Sequence, residues 1–391
     1  MTADLGAVYV RWTWCRAVLH RGWWLVAGVY LVVDARLGAS QLVLVGVAQA
    51  VVALVFEVPA GVVADTLSRK WSLVVSHVLM GAAMLATARV GDFLSLLATQ
   101  MLWGLSWTFA SGADVAWISD ELDDPLRVPA VLIRAEQAQL TGTVAGLAGL
   151  GGLAWLTGRT TAMVLAGAAM SLLGLYVAAF PERRFVPAPA NRWATARSIL
   201  VRGSALVRTS PVLIAVFAAT FLVSGVADAF GRLYPLRLVA LAPAVDPVLW
   251  FTGLGVLMCL AGVAALRIVV ARLGGPHMVR RGYVLACGVA AVGVVGLAFA
   301  PDAFSGSFAV LLAAGALPLT RTFGTLRVNA RTAGAVRATV HSLLAQAEYA
   351  GKIVCGLVLA LVAGRTGMLV ALTAGGALLV VAGVLVRWGR G

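Results

Sequence analysis

Charge is scarce in this chain: of 391 residues, 12% are Asp, Glu, Lys or Arg, 61% are hydrophobic, and the mean hydropathy is +0.96. A soluble domain carries about twice that charged fraction, so the composition excludes the ordinary soluble classes and makes lipid the solvent for most of the chain. Lysine is nearly absent, with only Lys70 and Lys352. Cysteine is sparse too. Cys15, Cys259, Cys287 and Cys355 are scattered with no C-x-x-C spacing, which excludes a disulfide framework and predicts four free, buried thiols. His20, His77, His277 and His341 show no metal-ligand spacing, so no metal site is expected. No phosphate-cradling P-loop is present, so no nucleotide cofactor is expected, and uphill work would have to draw on an ion gradient.

What is abundant is long apolar runs. Backbone N–H and C=O groups in hydrocarbon must be satisfied within their own segment, so a run of about 20 apolar residues reads as a spanning helix. Twelve such spans are predicted, near 8–33, 41–63, 71–89, 93–118, 131–155 and 160–180, then near 211–234, 248–270, 282–300, 304–328, 339–363 and 367–386. The fold class expected is an all-α polytopic membrane protein, with two pseudo-symmetric six-helix bundles at 1–180 and 211–391. Between them, 181–210 reads as an amphipathic linker on the inner leaflet. Trp193, Ala196, Ile199, Leu200, Leu206 and Val207 share one side of a helical wheel, and Arg197, Arg202 and Arg208 fall off it. The first stretch contains Arg11, Arg16 and Arg21 and lacks a small-residue cleavage site, so it reads as a retained helix and not a cleaved signal.

The formal net charge of +14 invites a nucleic-acid reading, which its distribution argues against. With a cytoplasmic N-terminus, the inward segments from Arg69 and Lys70 to Arg387 and Arg390 hold 19 basic residues. The outward loops hold 5: Arg36, Arg89, Arg159, Arg237 and Arg365. This positive-inside bias predicts a multi-pass protein of the cytoplasmic (inner) cell membrane with both termini in the cytoplasm.

Between the second and third spans, Gly61-Val-Val-Ala-Asp65-Thr-Leu-Ser-Arg69-Lys70 follows the pattern Gly-x-x-x-Asp-x-x-Gly-Arg-Lys/Arg at Gly61, Asp65, Arg69 and Lys70, with Ser68 where the pattern has its second glycine. Ser111-Gly-Ala-Asp114-Val-Ala-Trp-Ile-Ser-Asp120 ends the fourth span, and Arg337-Ala-Thr-Val-His-Ser342 opens the eleventh. In these stretches the chain resembles the major facilitator superfamily, and within it the drug:proton antiporter branch of multidrug, tetracycline and macrolide efflux proteins. The branch's arginine in the fourth helix is replaced by Gln100, and its fifth-helix Gly-Pro motif by Gly142, Gly146 and Gly149 with Ala148 where proline falls.

The resemblance implies a secondary active transporter working by alternating access, most concretely a proton-coupled exporter of a small amphiphilic molecule, with antibiotic resistance as the expected phenotype. The implied cytoplasmic latch is Gly61, Asp65, Arg69, Lys70 and Asp120, with Asp120 as the partner of Arg69 and Gly61 permitting close helix approach. Import or facilitated passage of a small metabolite is the alternative, with Arg21 and His20 available to attract an anionic one, and a non-transporting sensor is a weaker alternative. No enzyme is expected, because no nucleophile, metal set or carboxylate constellation gathers near one interface. Protons, the lipid bilayer and a small-molecule substrate are the expected partners, and a monomer is the expected state.

Ionisable side chains at membrane depth cost at least a few kcal/mol each, so each needs a partner, a wet cavity or a role. Glu57, Asp114 and Glu348 are the proton-coupling candidates, since a carboxylate in an apolar cavity can exchange a proton near neutral pH. Helix counting puts them in the cytoplasmic half and Asp228 towards the outside. The structural alternative pairs Asp228 with Arg232 and Glu348 with Lys352 at i, i+4, and Glu57 or Asp114 with Arg16 or Arg321. Trp24, Trp103 and Trp107 are candidates to line a substrate cavity by stacking, with His20, Arg21 and Asp228 as its polar groups.

Overall fold

A computed structural model describes residues 4–122, 124, 126–187, 205, 207–271, 275–332 and 334–389. The amphipathic face read across 181–210 falls mostly outside them. Thirteen helices are described: α1 (Leu5–Val33), α2 (Ala39–Thr66), α3 (Arg69–Thr87), α4 (Phe93–Ala110), α5 (Ala113–Leu122), α6 (Val128–Thr157) and α7 (Arg159–Ala178), then α8 (Pro211–Leu241), α9 (Pro247–Ala271), α10 (Pro276–Phe299), α11 (Ala303–Arg331), α12 (Gly334–Thr366) and α13 (Met368–Trp388). Ten are long and apolar enough to cross a membrane; α1, with its three arginines, and the 18-residue α4 are not among them.

The fourth predicted span, 93–118, is broken. Ser111 and Gly112 separate α4 from the short α5, and Gly112 has φ +77°, in the left-handed region that glycine enters without a Cβ clash. The apolar run continues across the break, so hydropathy alone does not reveal it. Elsewhere the expected spans lengthen by a turn or less at most ends, reaching 211–241 for α8 and 334–366 for α12.

The chain forms two compact units. Unit 1 comprises Met1–Leu37, Val51–Ala190 and Asp246–Val256; unit 2 comprises Gly38–Ala50, Asn191–Val245 and Leu257–Gly391. The division therefore follows the two sequence halves except in α2 and α9, each of which contributes its first turns to the unit built from the other half.

Within unit 1, α1 packs on α6 and α7, and α3 on α4 and α7; within unit 2, α8 packs on α12 and α13, and α10 on α11 and α13. These are the same pairings, first helix with fifth and sixth, third with fourth and sixth, so the duplication is visible in the packing. Both first-to-fifth contacts close on glycine: a Cβ on Gly146 would overlap the Val18 backbone, and one on Gly351 the Phe221 backbone. The turns from fifth to sixth helix also match, each a single glycine at positive φ, Gly158 (+93°) and Gly367 (+97°).

The fourth helices start alike. Asp92 accepts from the Ser95 N–H (2.9 Å) at α4, and Asp302 from the Ser305 N–H (2.9 Å) at α11. These backbone hydrogen bonds hold both carboxyls below their ordinary range.

Of the four thiols, Cys287 and Cys355 are buried while Cys15 and Cys259 are only half-buried; none of the four forms a disulfide.

Candidate functional site

The turn from α2 to α3 is two residues long and is tied to the far end of α5. Arg69 contacts Asp120 directly, donates to the Ala116 carbonyl (3.1 Å), and lies 3.5 Å from Asp65 across the turn. Ser68 has extended backbone (φ −177°), which any residue adopts, and its hydroxyl caps α3 by accepting from the Trp71 N–H (3.0 Å). A serine thus serves where the superfamily pattern has glycine, because this turn needs a cap and not a left-handed residue.

Two further acids complete the cluster. Glu182 accepts from the Ser68 hydroxyl and from the Lys70 backbone N–H (2.9 Å), while Glu121 accepts from the backbone N–H groups of Arg183 (2.8 Å) and Arg184 (3.0 Å). Sequence reasoning missed both, although Pro181-Glu182 directly after the sixth helix was a visible signal. The Lys70 ammonium sits over the Trp71 ring (5.4 Å). Gly61 differs from expectation: a Cβ there would meet nothing within 4 Å, so close helix approach is not its role in unit 1.

Deeper in unit 1, Arg16 of α1 pairs with Asp114 at the start of α5 (3.4 Å), and both side chains are largely buried. The break at Gly112 is what lets α5 start here. The Arg16 guanidinium also lies over Trp12 (4.8 Å) and Trp107 (5.9 Å). His20 stacks on Trp103 (5.2 Å between centroids), Trp103 on Trp107 (6.4 Å), and Trp24 approaches Trp103 at 5.0 Å. Among the described residues, no hydrogen-bond partner reaches the buried Nε atoms of His20 and Trp103.

Arg16, His20 and Trp107 line a cavity of about 10 Å³ with Ser76, His77 and Met80. That is room for about one water, not a solute. The His20 and Trp107 rings leave no solute-sized space between them on this side, while Trp107 itself is exposed on the other. Arg21 is exposed and Glu57 half-buried in α2, and neither lines this cavity.

A lock absent from the sequence reading holds α1 to α3. The Trp12 indole N–H donates to His77 Nε2 (3.1 Å), and His77 Nδ1 lies 2.7 Å from the Leu73 carbonyl. A carbonyl only accepts, so the proton is on Nδ1 and His77 is neutral.

Solute-sized openings lie elsewhere: about 410 Å³ in unit 1, lined by Asp34, Trp155, Arg159 and Asp246, and, in unit 2, one walled by mid-helix charges. A cavity of about 390 Å³ is lined by Thr220, Ser224 and Asp228 of α8, Tyr283 of α10, Pro318, Thr320 and Arg321 of α11, and Glu348 and Lys352 of α12. Asp228 and Glu348, read from sequence at opposite depths, share it. The reason is helix length: α8 and α12 extend past the predicted spans, so each acid falls near the middle of its helix. Pro318 lacks the N–H that would close the preceding turn of α11, leaving a carbonyl of that turn without its helical partner beside the cavity.

Pairing also departs from expectation. Glu348 meets Arg321 (3.3 Å) and not Lys352, whose ammonium lies over the Tyr349 ring (5.3 Å). Asp228 pairs with Arg232 (3.0 Å) at i, i+4, and Arg232 also donates to the buried Gln49 (2.5 Å) of the α2 segment in this unit.

No protein-family description and no curated protein matches this sequence. Solved structures do match in fold. A mutant of the nucleoside transporter NupG is similar over 99% of this chain and 100% of its own (TM-score 0.79, 14% identity). A mutant of the peptide transporter POT in complex with sulfate covers 97% and 93% (0.75, 14%), and a bacterial homolog of the human lysosomal transporter Spinster 100% and 96% (0.68, 14%). The fold is thus the all-helical one of the major facilitator superfamily, and the chain is a multi-pass membrane protein. At such identities the likeness speaks for the fold alone.

Proposed function

We propose that this protein is a secondary active transporter working by alternating access, with proton-coupled export of a small amphiphilic molecule as its physiological direction. The observation that carries the reading is the unit 2 cavity. Asp228, Arg321, Glu348 and Lys352 stand mid-helix around a volume that fits a small solute. Keeping ionisable groups at membrane depth costs a few kcal/mol each, which a purely structural role does not require of four at one opening. The fold, shared with proteins named as nucleoside and peptide transporters, supports it.

Glu348 is the proton carrier in this reading. Its carboxylate is held by Arg321 and faces an open cavity; protonating it releases Arg321 and leaves two cations, Arg321 and Lys352, facing the solute space. Asp114 and Glu57 are the other candidates, and the buried Arg16–Asp114 pair couples α1 to α5. Export rests on the resemblance of the α4–α5 end and the α12 start to the efflux branch. The Asp65, Arg69 and Asp120 cluster serves as its cytoplasmic latch. Entry of an anionic metabolite is the second reading, favoured by Lys352, the cation of this cavity that sits on a ring and not on a carboxylate.

Inverted membrane vesicles from a transporter-deficient host test both. Energised vesicles with the wild-type chain are expected to accumulate amphiphilic probes such as ethidium, to lose them on collapse of the proton gradient, and to fail with Glu348→Gln. Accumulation by Glu348→Gln equal to wild type would assign the proton elsewhere, and proton-driven uptake of carboxylate probes by right-side-out vesicles, with no ethidium accumulation in inverted ones, would favour the second reading.

A further inference from the structure

Two stripes of side chains face the unit 2 cavity: Thr220, Ser224 and Asp228 on α8, and Leu344, Glu348 and Lys352 on α12. Spacing by four residues stacks each set along one helix face. The helices meet in backbone contact beside the stripes, since a Cβ on Gly225 would overlap the Gly351 carbonyl. Ser224 adjoins Gly225 and Lys352 adjoins Gly351, so a hydroxyl and an ammonium enter the cavity at one level.

The charges around this opening do not balance. Asp228 accepts from Arg232 (3.0 Å), and Glu348 lies 3.3 Å from Arg321. Lys352 is the fifth charge. Its ammonium lies over the Tyr349 ring (5.3 Å) and meets no carboxylate among the described residues. A cation at membrane depth needs a counter-charge, and a ring face offsets only part of that cost. The opening therefore has room for one anionic group beside Lys352, with the Ser224 hydroxyl as a second donor. Glu348 is held differently from Asp228. The Arg321 side chain is 77% exposed, so its pairing is screened by solvent and readily exchanged for another cation.

We propose that the solute of this cavity is an amphiphile bearing both a carboxylate and an ammonium group, with Lys352 as the residue that selects the carboxylate. Lys352 and Ser224 hold the carboxylate, Glu348 takes the ammonium in exchange for Arg321, and the apolar body lies against Val223, Leu317 and Leu344. The inference rests on the reading of this cavity as the solute site and adds the chemistry of what it takes. Protonation of Glu348 then displaces the ammonium, so proton and solute compete, as an exchanger requires. A purely cationic amphiphile such as ethidium uses the Glu348 half alone and binds more weakly.

The test is equilibrium binding to the full chain in detergent, by titration calorimetry corrected against empty micelles. Its ligands share one apolar body: 4-phenylbutylamine, 4-phenylbutyrate, and 2-amino-4-phenylbutyrate, which carries both charges. The doubly charged ligand is expected to bind about tenfold or more tighter than either of the others. Lys352→Gln should bring it to within about threefold of the amine and leave the amine's own affinity within about threefold of wild type, while Lys352→Arg keeps the preference. A doubly charged ligand that binds the wild type no tighter than the better single-charge ligand overturns the proposal, and so does the absence of binding by all of them. Undiminished preference in a folded Lys352→Gln variant overturns the role of Lys352. The coupling reading fails separately: the expected order of affinities, with gradient-driven accumulation undiminished in Glu348→Gln, leaves the charge selection standing and removes the proton from Glu348. Accumulation that Glu348→Gln abolishes, with no preference for the doubly charged ligand, sinks the present inference alone.

Discussion

The two units are built on one packing plan and spend their charges differently at one end. Where the third helix begins in unit 1, Arg69 is neutralised by Asp120 and Asp65; where it begins in unit 2, Arg280 faces Arg327 and Arg331. The opposite ends of the fourth helices are alike, Asp92 and Asp302 capping α4 and α11 through matching backbone hydrogen bonds. The interior contacts from third to first helix are alike in kind too, His77 with Trp12 in unit 1 and the buried Tyr283 with Thr220 in unit 2. Packing is preserved by the duplication, and charge at the α3 and α10 starts is where the halves have been free to diverge.

The comparison can be broken most forcefully by writing the unit 2 pattern into unit 1. Asp120→Arg sets a second guanidinium against Arg69 and is expected to cost about 2–3 kcal/mol, less than a fully buried pair because Asp120 is partly exposed. Denaturant unfolding of the purified variant checks it. Next in size is the interior lock: Trp12→Phe keeps the ring but leaves His77 Nε2 buried without its donor, and a loss of about 1–3 kcal/mol is expected in the same measurement.

Arg280→Gln sharpens the contrast from the other side. In detergent it relieves repulsion and breaks no ion pair among the described residues, so stability should stay within about 0.5 kcal/mol of wild type or rise slightly. A loss as large as that of Asp120→Arg would show that Arg280 has an acid partner after all.

The smallest effect concerns what the halves share. Asp92 and Asp302 have depressed folded-state pKa values, so their caps stabilise above the ordinary carboxylate pKa and that stability is lost as pH falls through the depressed value. Asn caps without titrating. The melting-temperature difference between wild type and Asp302→Asn should therefore hold steady at neutral pH, then shift against the wild type as the medium is acidified, and Asp92→Asn should show the same trend.

Much of the architecture was legible in the sequence because hydropathy reports lipid contact directly: every long helix overlaps a predicted span. The Arg69 and Asp120 contact was legible through a motif whose residues lie 51 positions apart. The break at Ser111 and Gly112 was not, since apolar residues continue on both sides of it. The partners of Glu348 and the shared cavity with Asp228 were not legible either. Local spacing offered Lys352, while Arg321 arrives from another helix and the depth of each acid depends on where the helix ends. The Trp103, Trp107 and His20 constellation was found as a set of residues. Its tightness, about 10 Å³ of free space, is a tertiary property no spacing predicts.

In the proposed function the unit 2 cavity couples a proton to a solute through Glu348. Proteoliposomes containing the chain and a trapped pH-sensitive dye, challenged with a library of amphiphilic and anionic solutes, test it most directly. At least one solute is expected to drive proton movement in the wild type that Glu348→Gln abolishes. Solute-driven proton movement undiminished in Glu348→Gln, or none with any solute in the wild type, would contradict it.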